Sequence, residues 1–135
     1  MRFLLLLLCA GAMSADQKPC PFMNAATAGG ILEGAVDFTM TRNGPDGTCE
    51  FTRRDSGARL RIEVGTELPK CASPVEQLKA IGNEAVACTI DATTEQVVGR
   101  VRKQWFLIRV SGAFPKEKLR EKSVNAAEQV AGNLF

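Results

Sequence analysis

Five cysteines, four of them beyond residue 19, constrain this chain more than any other feature. The four are Cys20, Cys49, Cys71 and Cys88. An even set in a small exported domain reads as two disulfides. Three connectivities are open. We favour Cys20–Cys49 and Cys71–Cys88, because each then ties a helix-bearing segment to the strand that follows it. Loops of that length stabilise by about 3 kcal/mol each in the chain-entropy account. A zinc site built from all four thiolates is the competing reading, but no pair has the close C-x2-C spacing of structural zinc. We therefore expect neither metal nor cofactor.

Oxidised cysteines require an oxidising compartment, and residues 1–15 read as the signal that leads there. Arg2 supplies the positive end, Phe3 to Leu8 the apolar run, and Ala10, Gly11, Ala12, Ser14 and Ala15 the small residues near a cleavage site. Cleavage after Ala15 is expected, leaving residues 16–135 as a single domain. The apolar run is too short to span a bilayer, and no later stretch approaches that length. Leu8 precedes Cys9 where a lipid-attachment motif needs a small residue, so the reading is a periplasmic or secreted protein without a transmembrane segment. We take it as a monomer.

The chain carries a net charge of +2, which points to neither nucleic acid nor an anionic membrane. It holds no histidine and no tyrosine. That removes histidine general acid–base chemistry, Ser-His-Asp and Cys-His nucleophiles and most catalytic zinc sites. Neither a phosphate loop nor a G-x-G-x-x-G is present.

Periodicity then lays out the elements. A short helix is expected over Ala25 to Leu32, capped by Asn24 and closed by a left-handed Gly34. Three alternating strands follow. Val36, Phe38 and Met40 share one face, as do Cys49 and Phe51, then Leu60, Ile62 and Val64. Asn43 to Gly47 and Asp55-Ser56-Gly57 supply the turns. Together they make a three-stranded meander. Ser73-Pro74-Val75-Glu76 has the form of a capping box, so a helix carrying Val75, Leu78 and Ile81 is expected to run to Gly82. A strand over Ala85 to Asp91 should turn Val86, Cys88 and Ile90 inward. A hairpin from Gln96 to Ser111 should turn at Lys103-Gln104, with Phe106, Ile108 and Val110 on its apolar face. A last helix over Pro115 to Asn133 has a stripe of Leu119, Ala126, Ala127, Val130, Ala131 and Leu134. Lys116, Glu117, Lys118, Arg120, Glu121 and Lys122 read as its solvated side. The fold class is α+β, an antiparallel sheet of about six strands with helices on one face and the C-terminal helix packed on the sheet.

Pro19-Cys20 ahead of a helix ending Ile31-Leu32-Glu33-Gly34, then Cys49-Glu50-Phe51, then Leu78 to Val86 before a valine-rich hairpin, form a family pattern. The chain resembles a large group of exported actinobacterial-type disulfide-bonded domains of unknown function. It is distantly similar to the extracellular sensor domain of a mycobacterial serine/threonine kinase, which also carries two disulfides. Asn83 stands where that pattern has aspartate. The resemblance implies an envelope or secreted location and a binding role, and it carries over no catalytic residues.

One surface draws attention as a candidate ligand site. Alternation places Trp105, Leu107 and Arg109 on one face, with Val98, Arg100 and Arg102 on the partner strand and Arg59 and Arg61 nearby. An aromatic ring beside several guanidiniums suits a carboxylate, an anionic glycan or an acidic protein patch. The ordinary alternative is that Glu50, Glu63, Asp37 and Asp91 consume those arginines in cross-strand ion pairs. Asp46 alone is too little for calcium. The expected function is non-enzymatic binding of a protein or envelope polymer. A small secreted inhibitor or sensor of a larger enzyme is the alternative, and a hydrolase using paired carboxylates stands behind both.

Overall fold

The structure, a computed structural model, describes residues 18–41 and 46–135. The signal-peptide reading and most of the Asn43 to Gly47 turn lie outside them. Two helices and seven strands follow in the order α1 (Ala25–Leu32), β1 (Val36–Met40), β2 (Gly47–Arg53), β3 (Arg59–Gly65), β4 (Glu76–Leu78), β5 (Glu84–Asp91), β6 (Thr94–Val101), β7 (Gln104–Ser111) and α2 (Lys116–Leu134). The strands form one open antiparallel sheet ordered β1-β2-β3-β7-β6-β5-β4. Both helices pack on the same face, α1 against β1 to β3 and α2 against β6 and β7. The α+β reading holds, with one strand more than expected.

The helix α1 starts where Asn24 accepts a hydrogen bond from the Thr27 amide at 2.7 Å. Its left-handed residue is Glu33, with φ 65°, rather than Gly34. Gly34 is needed for another reason: the Arg53 side chain packs where a Cβ would sit, and its Nη1 donates to the Leu32 carbonyl at 3.1 Å. Lys122 Nζ donates to the neighbouring Ile31 carbonyl at 2.7 Å. Two cations thus satisfy carbonyls that the helix end leaves unpaired.

Alternation in β1 to β3 and in β7 places its apolar residues on the helical side, as the sequence predicts. Phe51, Leu60, Ile62, Phe106, Ile108 and Val110 are at most 1% exposed and form one cluster with Leu32, Leu119, Ala126, Ala127 and Val130. Both favoured disulfides are present, Cys20–Cys49 and Cys71–Cys88. The first lies within that cluster.

Four further sequence expectations fail. The capping-box helix is absent: Ser73–Pro74 is a cis peptide, and residues 76–78 pair with β5 as a short edge strand. A helix of that length is marginal by itself. Here Val75 stays 40% exposed, so no apolar stripe is buried to stabilise one, whereas the ladder to β5 satisfies the same backbone groups. Second, β5 faces the other way. Ala85 and Ala87 point at the helical layer, while Val86 and Cys88 point outward and Ile90 is 44% exposed. The Phe106 ring lies over Gly99, its partner on β6, and Gly99 in turn pairs with Ala85, so the inner face of β5 beside that ring is left to small residues. Third, the β6–β7 turn is Arg102-Lys103, because Val101 pairs with Gln104. Fourth, Lys122 is buried, and Arg120 reaches the buried Glu95 at 3.4 Å and Glu76 of β4 at 3.1 Å.

Candidate functional site

The outer face of the sheet, opposite the helices, divides into two halves. On β2 and β3 it is a charged ladder. Arg59 reaches Glu50 at 3.6 Å, while Arg61 reaches Glu50 at 3.4 Å and Glu63 at 2.6 Å. Such cross-strand pairs keep an uncovered face soluble. On β5 to β7 the same face carries an apolar strip between the Gln96–Arg109 and Glu84–Arg100 pairs. Val86, Val98 and Leu107 lie in register across the three strands, and Val98 and Leu107 are 6% and 1% exposed. An apolar strip on an outer face needs a cover.

Residues 66–75 contribute to that cover. They leave β3, carry Leu68 and Val75 toward the strip, and are tied to β5 through Cys71–Cys88. Between this strap and the sheet lies a groove of about 760 Å³, with Leu68 and Val75 on one side and Val86, Val98 and Trp105 on the other. Gln77, Ser73 and Thr66 add neutral polar groups, and Lys70, Glu67 and Glu84 add charges. Its size falls within the range of small-molecule sites, and its mixture of an apolar floor with few polar groups is their usual composition. Trp105 is partly exposed, with the Arg100 guanidinium 6.0 Å from its ring centre. Arg100 is held there by the Arg102 carbonyl at 2.5 Å and by Glu84 at 3.7 Å.

The structure therefore breaks up the cluster of arginines expected around the tryptophan. Only Arg100 joins Trp105. Arg102 sits on the hairpin turn with φ 56°, its amide donating to Asn83 Oδ1 at 2.6 Å. Arg59 pairs in register with Ser111, six residues from Trp105, which places it about 20 Å away along the strand. Arg61 faces Arg109, four residues from Trp105. Arg59 and Arg61 are engaged by glutamates. Arg109 Nε donates to Gln96 Oε1 at 2.6 Å.

Gln96 is a residue that sequence reasoning passed over. It is 1% exposed, faces Cys88 in register, and its amide nitrogen lies 3.6 Å from Cys71 Sγ and 3.8 Å from Cys88 Sγ. A glutamine directly ahead of Val97-Val98 in a strand carried the signal, because a buried amide needs partners. Lys70 and Leu68 also escaped notice, since the strap has no periodicity to reveal which side chains turn inward, and Gln77 of β4 was taken into the expected helix. Among the described residues no cluster of metal-ligating side chains is found, and no helix is long and apolar enough to cross a membrane.

Fold and site together define a class: an open-faced α+β sheet domain whose outer face bears a disulfide-tied strap and a groove. Set against protein-family models, curated proteins and solved structures, the chain matches none of them.

Proposed function

We propose that this is a non-enzymatic binding domain of an exported protein, and that its ligand inserts an apolar group into the groove beside Trp105. The observation that carries the reading is the composition of that groove: an apolar floor of Val86, Val98 and Trp105 under a strap fixed by its own disulfide. A preformed cavity with a partly exposed tryptophan suits an anchor side chain or an acyl or aromatic substituent. A partner protein or an envelope polymer would present it. The two disulfides fit an oxidising, extracytoplasmic location. The hydrolase alternative has less support, because the outer-face carboxylates Glu50, Glu63 and Glu84 all face arginines within 4 Å.

Trp105 is the chain's one tryptophan, so its fluorescence reports on the groove without added labels. Titration of the oxidised chain with anilinonaphthalene sulfonate, an apolar probe, is expected to change Trp105 emission saturably. Trp105→Ala should abolish enhancement of the probe's own fluorescence while leaving Tm within a few degrees of the parent. Equal probe binding by the variant would remove the groove from consideration. A collapse in Tm would make Trp105 a packing residue instead.

A further inference from the structure

We propose that the Cys71–Cys88 disulfide is a reducible latch, through which a dithiol controls the groove. The proposal rests on the binding site described above for its purpose, but not for its chemistry. The two disulfides differ in how the fold holds them. Cys20 and Cys49 are 8% and 0% exposed and belong to the core cluster, so opening them means opening the core. Cys88 is 1% exposed, but Cys71 is partly exposed and lies in the strap. Among the described residues, 66–75 make no backbone hydrogen bond to the sheet. Apart from the disulfide, the strap's polar tie to the outer face is the weak contact from Gln96 to Cys71 Sγ. Breaking one S–S bond therefore frees this segment and leaves the ladder from β1 to β7 in place.

The surroundings favour that step. An external thiolate attacks Cys71 Sγ, the more accessible sulfur, and the bonding pair departs with Cys88 Sγ as a thiolate. The second thiol of the same dithiol, once deprotonated, then displaces Cys71. The dithiol ends as a disulfide, and two electrons and two protons pass to the two cysteines. The Gln96 amide stands 3.8 Å from the departing Cys88 sulfur. A hydrogen bond to a thiolate is stronger than one to a disulfide sulfur, so this donor favours the reduced pair. Arg109 holds the amide from behind through Gln96 Oε1, which orients its N–H groups toward the sulfurs and polarises them. Lys70, next to Cys71, adds a positive charge that draws thiolates to the exposed side.

Graded dithiothreitol treatment of the oxidised chain, with maleimide trapping and peptide mass mapping, tests the chemistry. Cys71 and Cys88 should become labelled at a reductant concentration about tenfold below that needed for Cys20 and Cys49. In that partly reduced species, amide exchange should quicken over residues 66–78 and stay slow in β2, β3 and β7. Gln96→Leu should require more reductant, whereas a purely structural role for Gln96 would make the bond easier to open. Simultaneous opening of both disulfides, or opening of Cys20–Cys49 first, overturns the proposal. So does unchanged exchange over 66–78 after the bond is cut. Anilinonaphthalene sulfonate binding by the partly reduced chain separates the two readings. Selective reduction with binding unaffected refutes control of the groove. If the oxidised chain never binds the probe, the groove reading fails while the selectivity of reduction stands or falls by its own result.

Discussion

Lys122 joins both helices through one side chain. Its Nζ donates to the Ile31 carbonyl at 2.7 Å, pairs with Glu33 at 3.1 Å and lies 4.7 Å from the Phe114 ring centre. Lys122→Met keeps the stem and loses the charge, leaving a carbonyl of α1 unpaired. It should lower unfolding free energy by about 2 kcal/mol, read from a urea transition. The same contact gives Glu33 a pH signature. The hydrogen bond and the charge of Lys122 hold the Glu33 carboxyl below its usual 4.5. A lowered folded-state value means that the pair stabilises at neutral pH and loses its contribution as pH falls through that lowered value. Glu33→Gln should accordingly be less stable than the parent at pH 7 and converge with it in acid. A difference that persists in acid strong enough to protonate Glu33 in the folded chain would assign the effect to something other than ionisation. At this scale the sequence is least transparent. Lys122 reads as surface in a run of alternating charges, and nothing in that run says that a helix end lies within reach of its amine.

Among the elements, the strands β1 to β3 and β7 and both helices were legible, whereas residues 73–81 and the facing of β5 were not. Val36 to Val64 announces its meander because three strands alternate without a break and the Asp55-Ser56-Gly57 turn closes one joint. The segment 73–81 defeats the same reading. Ser-Pro-Val-Glu opens a helix as well as it opens a loop, and three apolar residues fit either period. What decides is tertiary: β5 offers a free edge, and Cys71 is already bound beside it. β5 misleads for a different reason. Val86 and Ile90 outweigh Ala85 and Ala87 in any count of hydrophobicity, yet the alanines face the core because Phe106 occupies the space above Gly99. This fixes an expectation for Gly99→Ala. The new methyl would meet the Phe106 ring and the Glu84 carbonyl, so a loss of about 1–3 kcal/mol is expected in thermal or urea unfolding. A neutral result would mean that Phe106 packs elsewhere. The candidate site suffered most from these two misreadings. Trp105, Arg100 and Val98 were correctly placed on one face, but residues 66–72 of the strap that turns the face into a groove were assigned no element, and its end was taken into the expected helix.

For the whole molecule, the sheet is covered on one side by two helices and on the other by charge over half its width and by a tied loop over the rest. Each disulfide serves one of these sides, with loops of 29 and 17 residues. By chain entropy alone each contributes about 3 kcal/mol, but the consequences of losing them differ. Replacing Cys20 and Cys49 by serine puts two hydroxyls into the core and should prevent folding or lower Tm sharply. Replacing Cys71 and Cys88 should leave a folded sheet whose Trp105 is more readily quenched by acrylamide. Equal damage from the two double variants would contradict this division. Both the strap and the core depend on which sulfurs are joined. Non-reducing peptide mapping by mass spectrometry of the chain recovered from an oxidising compartment reads that directly. The predicted result is two linked pairs, Cys20 with Cys49 and Cys71 with Cys88; any exchange of partners, or four free thiols, would contradict both the strap and the groove beneath it.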